Sequence, residues 1–176
     1  MRGVAVLVVL GMALSVSAAE VESRVLTHYV PQDFLETVVR TEKWTLLPID
    51  VKGGVRKGDV VRVWAGGRID RGNGEQPGQN VNGPEGATTE EASRLALAPE
   101  KALAFALLFK SETSGVKKCR PAGRPLEIKL TRDGEKVWIG FNDERGRYMD
   151  NHLGAGLRHE REPLWVRIEL VRTIVD

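Results

Sequence analysis

Cysteine occurs once in this chain, at Cys119, so no internal disulfide can form and the residue is either a buried, quiet thiol or a link to another chain. Its neighbours Lys117, Lys118 and Arg120 favour a thiolate, but a catalytic thiol also needs an imidazole, and the sequence places none of His28, His152 and His159 beside it. Charge of one sign is scarce too: 26 Lys and Arg stand against 24 Asp and Glu, a formal charge of +2. The two signs are interleaved rather than blocked, which is not the footprint of a nucleic-acid binder. Long apolar runs are confined to the first residues, so no later segment suits a membrane span.

Those first residues read as a signal peptide, 1–19. Arg2 supplies the charged start, Val4 to Leu14 an apolar stretch too short to cross a bilayer, and Ser15-Val16-Ser17-Ala18-Ala19 the small residues that signal peptidase accepts. Cleavage after Ala18 or Ala19 predicts an exported protein, periplasmic or secreted. About 155 residues remain, enough for one domain with a real core. Residues 20–43 form an N-terminal leader, in which Asp33 to Val39 suits a short helix or a strand after Pro31, and 44–176 form the main domain.

From Trp44 onward the pattern is β. Gly58-Asp59 reverses the chain into Val60 to Ala65, where Val61 and Val63 share one face and Val60, Arg62 and Trp64 the other. Gly66 to Thr89 reads as a long surface loop. Its Gly72-x-Gly74 is not a phosphate loop, since no helix start or Lys follows in frame. Glu90 to Ala98 suits a helical turn or two. Ala102 to Lys110 has the length and alternation of a buried strand, although its alanines also suit a helix. Leu126 to Leu130 alternates strictly, Arg132-Asp133-Gly134-Glu135 is expected to make a hairpin turn into Val137 to Phe141, and Leu164 to Leu170 is an alternating closing strand. Short strands at regular spacing predict an antiparallel sandwich.

Between the last two strands lies the most informative stretch. Asn142-Asp143 and Asp150-Asn151 are two acid/amide pairs separated by a short loop containing Gly146. Oxygen side chains crowded into one loop are what a hard cation such as Ca²⁺ requires. The same residues are also the ordinary residues of a hairpin loop, and composition alone leaves both readings open.

The order of motifs adds to this. An Ile49-x-Val51 segment precedes Gly58-Asp59-Val60-Val61, and a strand ends in Ala65-Gly66-Gly67. Then come Gly83-Pro84-Glu85-Gly86, the apolar strand at 102–110 and the Asn142-Asp143 … Asp150-Asn151 loop. Over roughly residues 44–171 this resembles the PA-IL-like family of bacterial galactophilic lectins. The resemblance implies an all-β, antiparallel jelly-roll β-sandwich of the galactose-binding-domain-like kind, which binds sugar through a Ca²⁺ ion. It implies that Asp143, Asp150 and Asn151 hold the metal by side-chain oxygens and that Arg147 and a residue near Arg71 hold it by backbone carbonyls. Two adjacent sugar hydroxyls complete the shell, and Asp143, Glu144, Arg147 and Asp150 line the ligand site. Arg147 and Met149 stand where the family usually has small residues, and Ala87 to Pro99 lacks its His and Gln sugar contacts, so galactose itself is not implied.

The expected function is therefore an exported, non-enzymatic, calcium-dependent carbohydrate-binding module, with no nucleic-acid partner and no membrane span after cleavage. A homo-oligomer is compatible with it, since several weak sites gain avidity together. The runner-up is a structural or protein-interaction sandwich of the same fold that has lost sugar binding. A glycoside hydrolase using Asp143 and Asp150 is weaker, because the sequence offers no reason for a raised carboxyl pKa. Trp44, Trp64, Trp138 and Trp165 are expected to pack in the core or at sheet edges rather than stack on sugars, and His152 is expected to be a solvated loop residue.

Overall fold

The computed structural model describes residues 21–71, 81–86, 94–98, 100, 103–121, 123–153 and 162–175. The expected signal peptide, the Gly72-x-Gly74 stretch, most of the long loop before Glu90, the start of the expected 90–98 turn, and His159 lie outside the described residues. In chain order the elements are β1 (Val21–Tyr29), α1 (Gln32–Val39), β2 (Thr45–Leu46), β3 (Val60–Gly66), β4 (Ile69–Asp70), β5 (Val81–Asn82), β6 (Leu107–Ser111), β7 (Lys117–Lys118), β8 (Leu126–Lys129), β9 (Val137–Phe141), β10 (His152–Leu153) and β11 (Trp165–Val175).

Two four-stranded sheets, ordered β1-β11-β3-β8 and β2-β9-β6-β7, carry the fold, and β10-β4-β5 make a small third sheet. The strand pairings are antiparallel. Alternation explains the packing. Val61 and Val63 of β3, Leu126 and Ile128 of β8 and Val166, Ile168 and Leu170 of β11 are buried in one core with Leu107 and Phe109 of β6 and Val137, Ile139 and Phe141 of β9. Phe109 and Phe141 are fully buried, each stabilising the fold by about 1.5–3 kcal/mol. The protein is thus an all-β antiparallel sandwich, as the strand pattern predicts. Among the described residues no helix is long and apolar enough to cross a membrane.

One turn differs from its expected role. Arg132 to Glu135 does not close a hairpin, because β8 and β9 belong to different sheets. Leu126, Ile128, Val137 and Ile139 all face the same core, which two neighbouring strands of different sheets achieve by arching over its edge. Glu135 pins that arch. Its buried carboxylate accepts hydrogen bonds from the Ser111 and Thr113 hydroxyls at 2.5 and 2.6 Å and from the Thr131 N–H at 2.6 Å. Burial pushes its pKa up, but the bonds from Ser111, Thr113 and Thr131 together outweigh burial and leave it at about 2.

The stretch at 102–110 becomes a strand only from Leu107. Leu103, Ala106 and Leu108 instead join Ala98 in a second small cluster, against which Trp44 and Leu97 pack. Gly140 makes room for it, since a Cβ there would sit 2.5 Å from Leu97 Cδ1. The tryptophans pack outside the main core. The Trp165 ring crosses Gly66, Trp64 faces the Arg167 guanidinium at 4.9 Å, and Trp44 and Trp138 flank Lys110 Nζ at 4.4 and 5.8 Å. Cys119 is a core thiol. Burial, helped by the charge of Glu85, pushes its pKa far up, which overturns the thiolate that its basic neighbours suggested.

The segment before Trp44 is woven into the sandwich. β1 pairs along its whole length with β11. Pro31 then sets off α1, with Asp33 in its first turn, where an acid suits the helix dipole. Leu35, Val38 and Val39 recur at helical spacing and are buried in the main core. α1 packs against β9 and β10, which brings it to the acid/amide loop.

Candidate functional site

The loop starts where β9 ends. Asn142 is buried and its side chain is fully used: Oδ1 accepts from the N–H groups of Leu97 and Ala98 at 3.1 Å, and Nδ2 donates to the carbonyls of Ala98 and Leu103 at 2.9 Å. It ties the 97–103 stretch to the strand end and has no capacity left for a ligand. Of the two acid/amide pairs, this amide is structural.

Asp143 is 1% exposed. Its Oδ1 accepts from the Glu144 N–H at 2.6 Å, and its Oδ2 is buried with no partner. Two turns carry the chain onward, closed by Arg147 N–H to Glu144 O at 3.1 Å and Asn151 N–H to Tyr148 O at 3.3 Å. Gly146 allows the first with φ 76°. The buried Tyr148 folds the loop back, its Oη accepting from the Asp143 N–H at 3.1 Å. Burial, and after it the charge of Asp143, pushes the Tyr148 phenol far up.

The second pair returns to the same neighbourhood. Asp150 Oδ1 and Asn151 Oδ1 are each buried without a hydrogen-bond partner, while Asn151 Nδ2 donates to Val39 O at 2.8 Å. Burial lifts the Asp143 pKa to about 6. The Asn151 amide, near Asp143 but outside hydrogen-bonding geometry with it, and the Glu144 N–H pull it down, Asp150 pushes it up and Arg71 pulls it down. Asp143 thus lies within electrostatic reach of Asp150, Asn151 and Arg71. Its raised pKa also corrects the expectation that nothing there perturbs a carboxyl.

Buried oxygens without a partner are costly, by about 1–3 kcal/mol each, and native proteins satisfy most of them. Among the described residues such side-chain oxygens belong to Asn82, Asp143, Asp150 and Asn151. Three of these four residues are the side-chain ligands expected for a cation. Two carboxylates and neutral oxygens match the charge and hardness of Ca²⁺, so the donor set fits the ion. No three His, Cys, Asp or Glu side chains gather as a metal group among the described residues; the candidate set reaches its number only by counting amide and carbonyl oxygens.

The arginines are placed differently from the sequence expectation. Arg147 does not lean into the space beside the two acids: its side chain is exposed and its Nε lies 3.1 Å from Glu144 Oε2. Glu144, expected among the ligand contacts, has its carboxylate between Arg147 and Arg94, whose Nη1 is 4.0 Å from Oε1. The guanidinium whose charge acts on Asp143 is that of Arg71, just past β4, stacked 3.7 Å over the Phe105 ring. Phe105 has φ 52°, uncommon for a bulky residue, and its carbonyl accepts from Asn82 Nδ2 at 2.9 Å.

Sequence reasoning missed the supports. α1 and the residues after it hold the loop at several points: Val39 O to Asn151, Arg40 Nη2 to Met149 O at 3.0 Å, Glu42 Oε2 from the Gly146 N–H at 2.9 Å, and Glu36 Oε2 from the Leu153 N–H at 3.4 Å. No local signal points to partners a hundred residues away. Tyr148 was missed as well, although it is the one aromatic residue between Asn142 and Asn151. His152 is exposed, with Nδ1 3.8 Å from Glu36 Oε1. Compared with known protein families and with curated proteins, the chain matches none.

Proposed function

We propose that this chain is an exported, calcium-dependent carbohydrate-binding module on a jelly-roll sandwich. Asp143, Asp150 and Asn151 hold the ion by side-chain oxygens, and the carbonyls of Arg147 and Arg71 complete the protein's share of the shell. The observation that carries this reading is the set of buried, unpartnered oxygens on Asp143, Asp150 and Asn151, which folding leaves unsatisfied unless a cation or water meets them. When bound, Ca²⁺ supplies a positive centre that two neighbouring sugar hydroxyls can ligate. Asp143 and Asp150 orient those hydroxyls as acceptors, through charge-assisted bonds about twice as strong as neutral ones. Tyr148 and Asn142 keep the donor set in place before any ligand arrives.

The test is thermal unfolding with and without Ca²⁺, followed by a glycan array with and without EDTA. A ligand that binds only the folded state raises Tm, so a rise with Ca²⁺ that disappears in Asp143→Asn and Asp150→Asn, together with EDTA-sensitive glycan binding, supports the reading. An unchanged Tm sinks it.

A second reading is favoured by one electrostatic relationship. The Arg71 guanidinium acts on Asp143 and can serve as the cation of a purely structural loop. In that case Ca²⁺ changes nothing, and Arg71→Ala lowers stability by stranding the acid.

A further inference from the structure

The outer side of the same loop bears a second feature. Arg94, Glu144, Arg145 and Arg147 line a cavity of about 340 Å³. Three guanidinium groups and one carboxylate give these four residues a formal charge of +2. Glu144 follows Asp143 directly, and Arg147 lies one turn further on, closed by the Arg147 N–H to Glu144 O bond. The cavity therefore follows Asp143 along the chain by a single β-turn.

Its arginines are exposed to solvent and gather around one largely buried carboxylate. The Glu144 side chain, 14% exposed, holds Arg147 at 3.1 Å and faces Arg94 at 4.0 Å. The Arg145 N–H is bonded to Arg94 O at 2.9 Å, and the Arg145 side chain is exposed with no ion-pair partner among the described residues. Every basic group here is an arginine. Its planar fork matches the paired oxygens of a carboxylate or sulfate, whereas a lysine offers only a point charge. Holding the Arg147 fork in advance lowers the entropic cost of engaging an anion.

We propose that the glycan taken by this loop is anionic, with a carboxylate or sulfate group seated against Arg145, Arg147 and Arg94 while the neighbouring sugar hydroxyls face Asp143 and Asp150. This rests on the reading of the loop as a calcium-dependent sugar site and adds the ligand's chemical class. A neutral sugar draws nothing from the charge of the guanidinium groups of the cavity. An anionic one forms charge-assisted bonds there, and its affinity should fall with added salt because the cavity is open to solvent.

The experiment titrates the full mature chain, in Ca²⁺, with the methyl glycosides of galacturonic, glucuronic and mannuronic acid. Each is set against its methyl ester and its neutral parent hexoside, and a parallel arm uses 6-sulfated hexosides. At least one uronate or sulfated glycoside should bind about tenfold tighter than its uncharged counterpart. Arg145→Gln should remove that preference, and the arm that responds tells carboxylate from sulfate. The Ca²⁺-dependent rise in Tm is recorded for wild type and variant alike. A Tm rise with equal binding of charged and uncharged glycosides overturns the anionic subsite and leaves the calcium site standing. No Tm rise in the wild type overturns the underlying reading and the subsite with it. A preference that survives Arg145→Gln and also Arg94→Gln places the anion elsewhere and overturns the assignment.

Discussion

Tyr148 and Asp143 close the loop on itself: the Asp143 N–H donates to Tyr148 Oη at 3.1 Å, and that hydroxyl lies 3.3 Å from Asp143 O. The phenol thereby satisfies a buried amide and fixes the backbone that carries the central carboxylate. Tyr148→Phe keeps the ring's packing and strands that N–H. It should destabilise the protein by about 1–2 kcal/mol in chemical denaturation and weaken Ca²⁺ binding severalfold. Unchanged Ca²⁺ affinity in this variant would show that the hydroxyl does not position Asp143.

Asp143→Asn should act with opposite sign in two conditions. Burial raises the Asp143 pKa to about 6 in the folded protein, above its unfolded value. Its contribution is therefore fully present below about pH 4 and is lost as pH rises through about 6. At pH 7.5 and in EDTA the ionised carboxylate is a net burden, and the amide should raise stability on the order of 2 kcal/mol. In Ca²⁺ the ranking should reverse, because only the wild type gains from the ion. Melting curves in the two buffers check both halves.

Glu135 works in the other direction. Its folded pKa is held at about 2 by Ser111, Thr113 and Thr131 against the effect of burial. Its stabilisation is present above about pH 4.5 and is lost as pH falls towards 2. Glu135→Gln should lower stability at pH 7 by about 2–3 kcal/mol and flatten the acid limb of the stability curve. An acid limb of unaltered slope would place the acid-sensitive group elsewhere.

Glu42→Ala tests the reach of the N-terminal segment. Glu42 Oε2 accepts the Gly146 N–H at an exposed position, so the cost in stability should stay below about 1 kcal/mol. The turn between Glu144 and Arg147 loses its anchor, and Ca²⁺ should dissociate faster, as stopped-flow release into a chelator would record.

Strand content was legible where alternation is strict. Val61 and Val63, Leu126 and Ile128, and Val137 and Ile139 face the core as their period predicts. The 102–110 stretch was harder, because Asn142 captures Ala98 and Leu103 and so shapes residues whose own pattern favours a strand. The donor types of the candidate site were legible too, since Asp143, Asp150 and Asn151 stand in one short loop. What each arginine does there was not. Arg147 is diverted by Glu144, and Arg71, stacked on Phe105 far along the chain, is the arginine whose charge acts on Asp143.

The amino-acid sequence by itself determined the β character, the face each core residue presents and the oxygen-rich chemistry of the 142–151 loop, because periodicity and turn preference are local properties of neighbouring residues. Only the tertiary structure decided that β8 and β9 part into different sheets, that α1 buttresses the loop and that the charge of Arg71 rather than Arg147 acts on the buried carboxylate. Those outcomes depend on which distant groups compete best for the same buried space and the same hydrogen bonds, and that competition is settled only when the whole chain has packed.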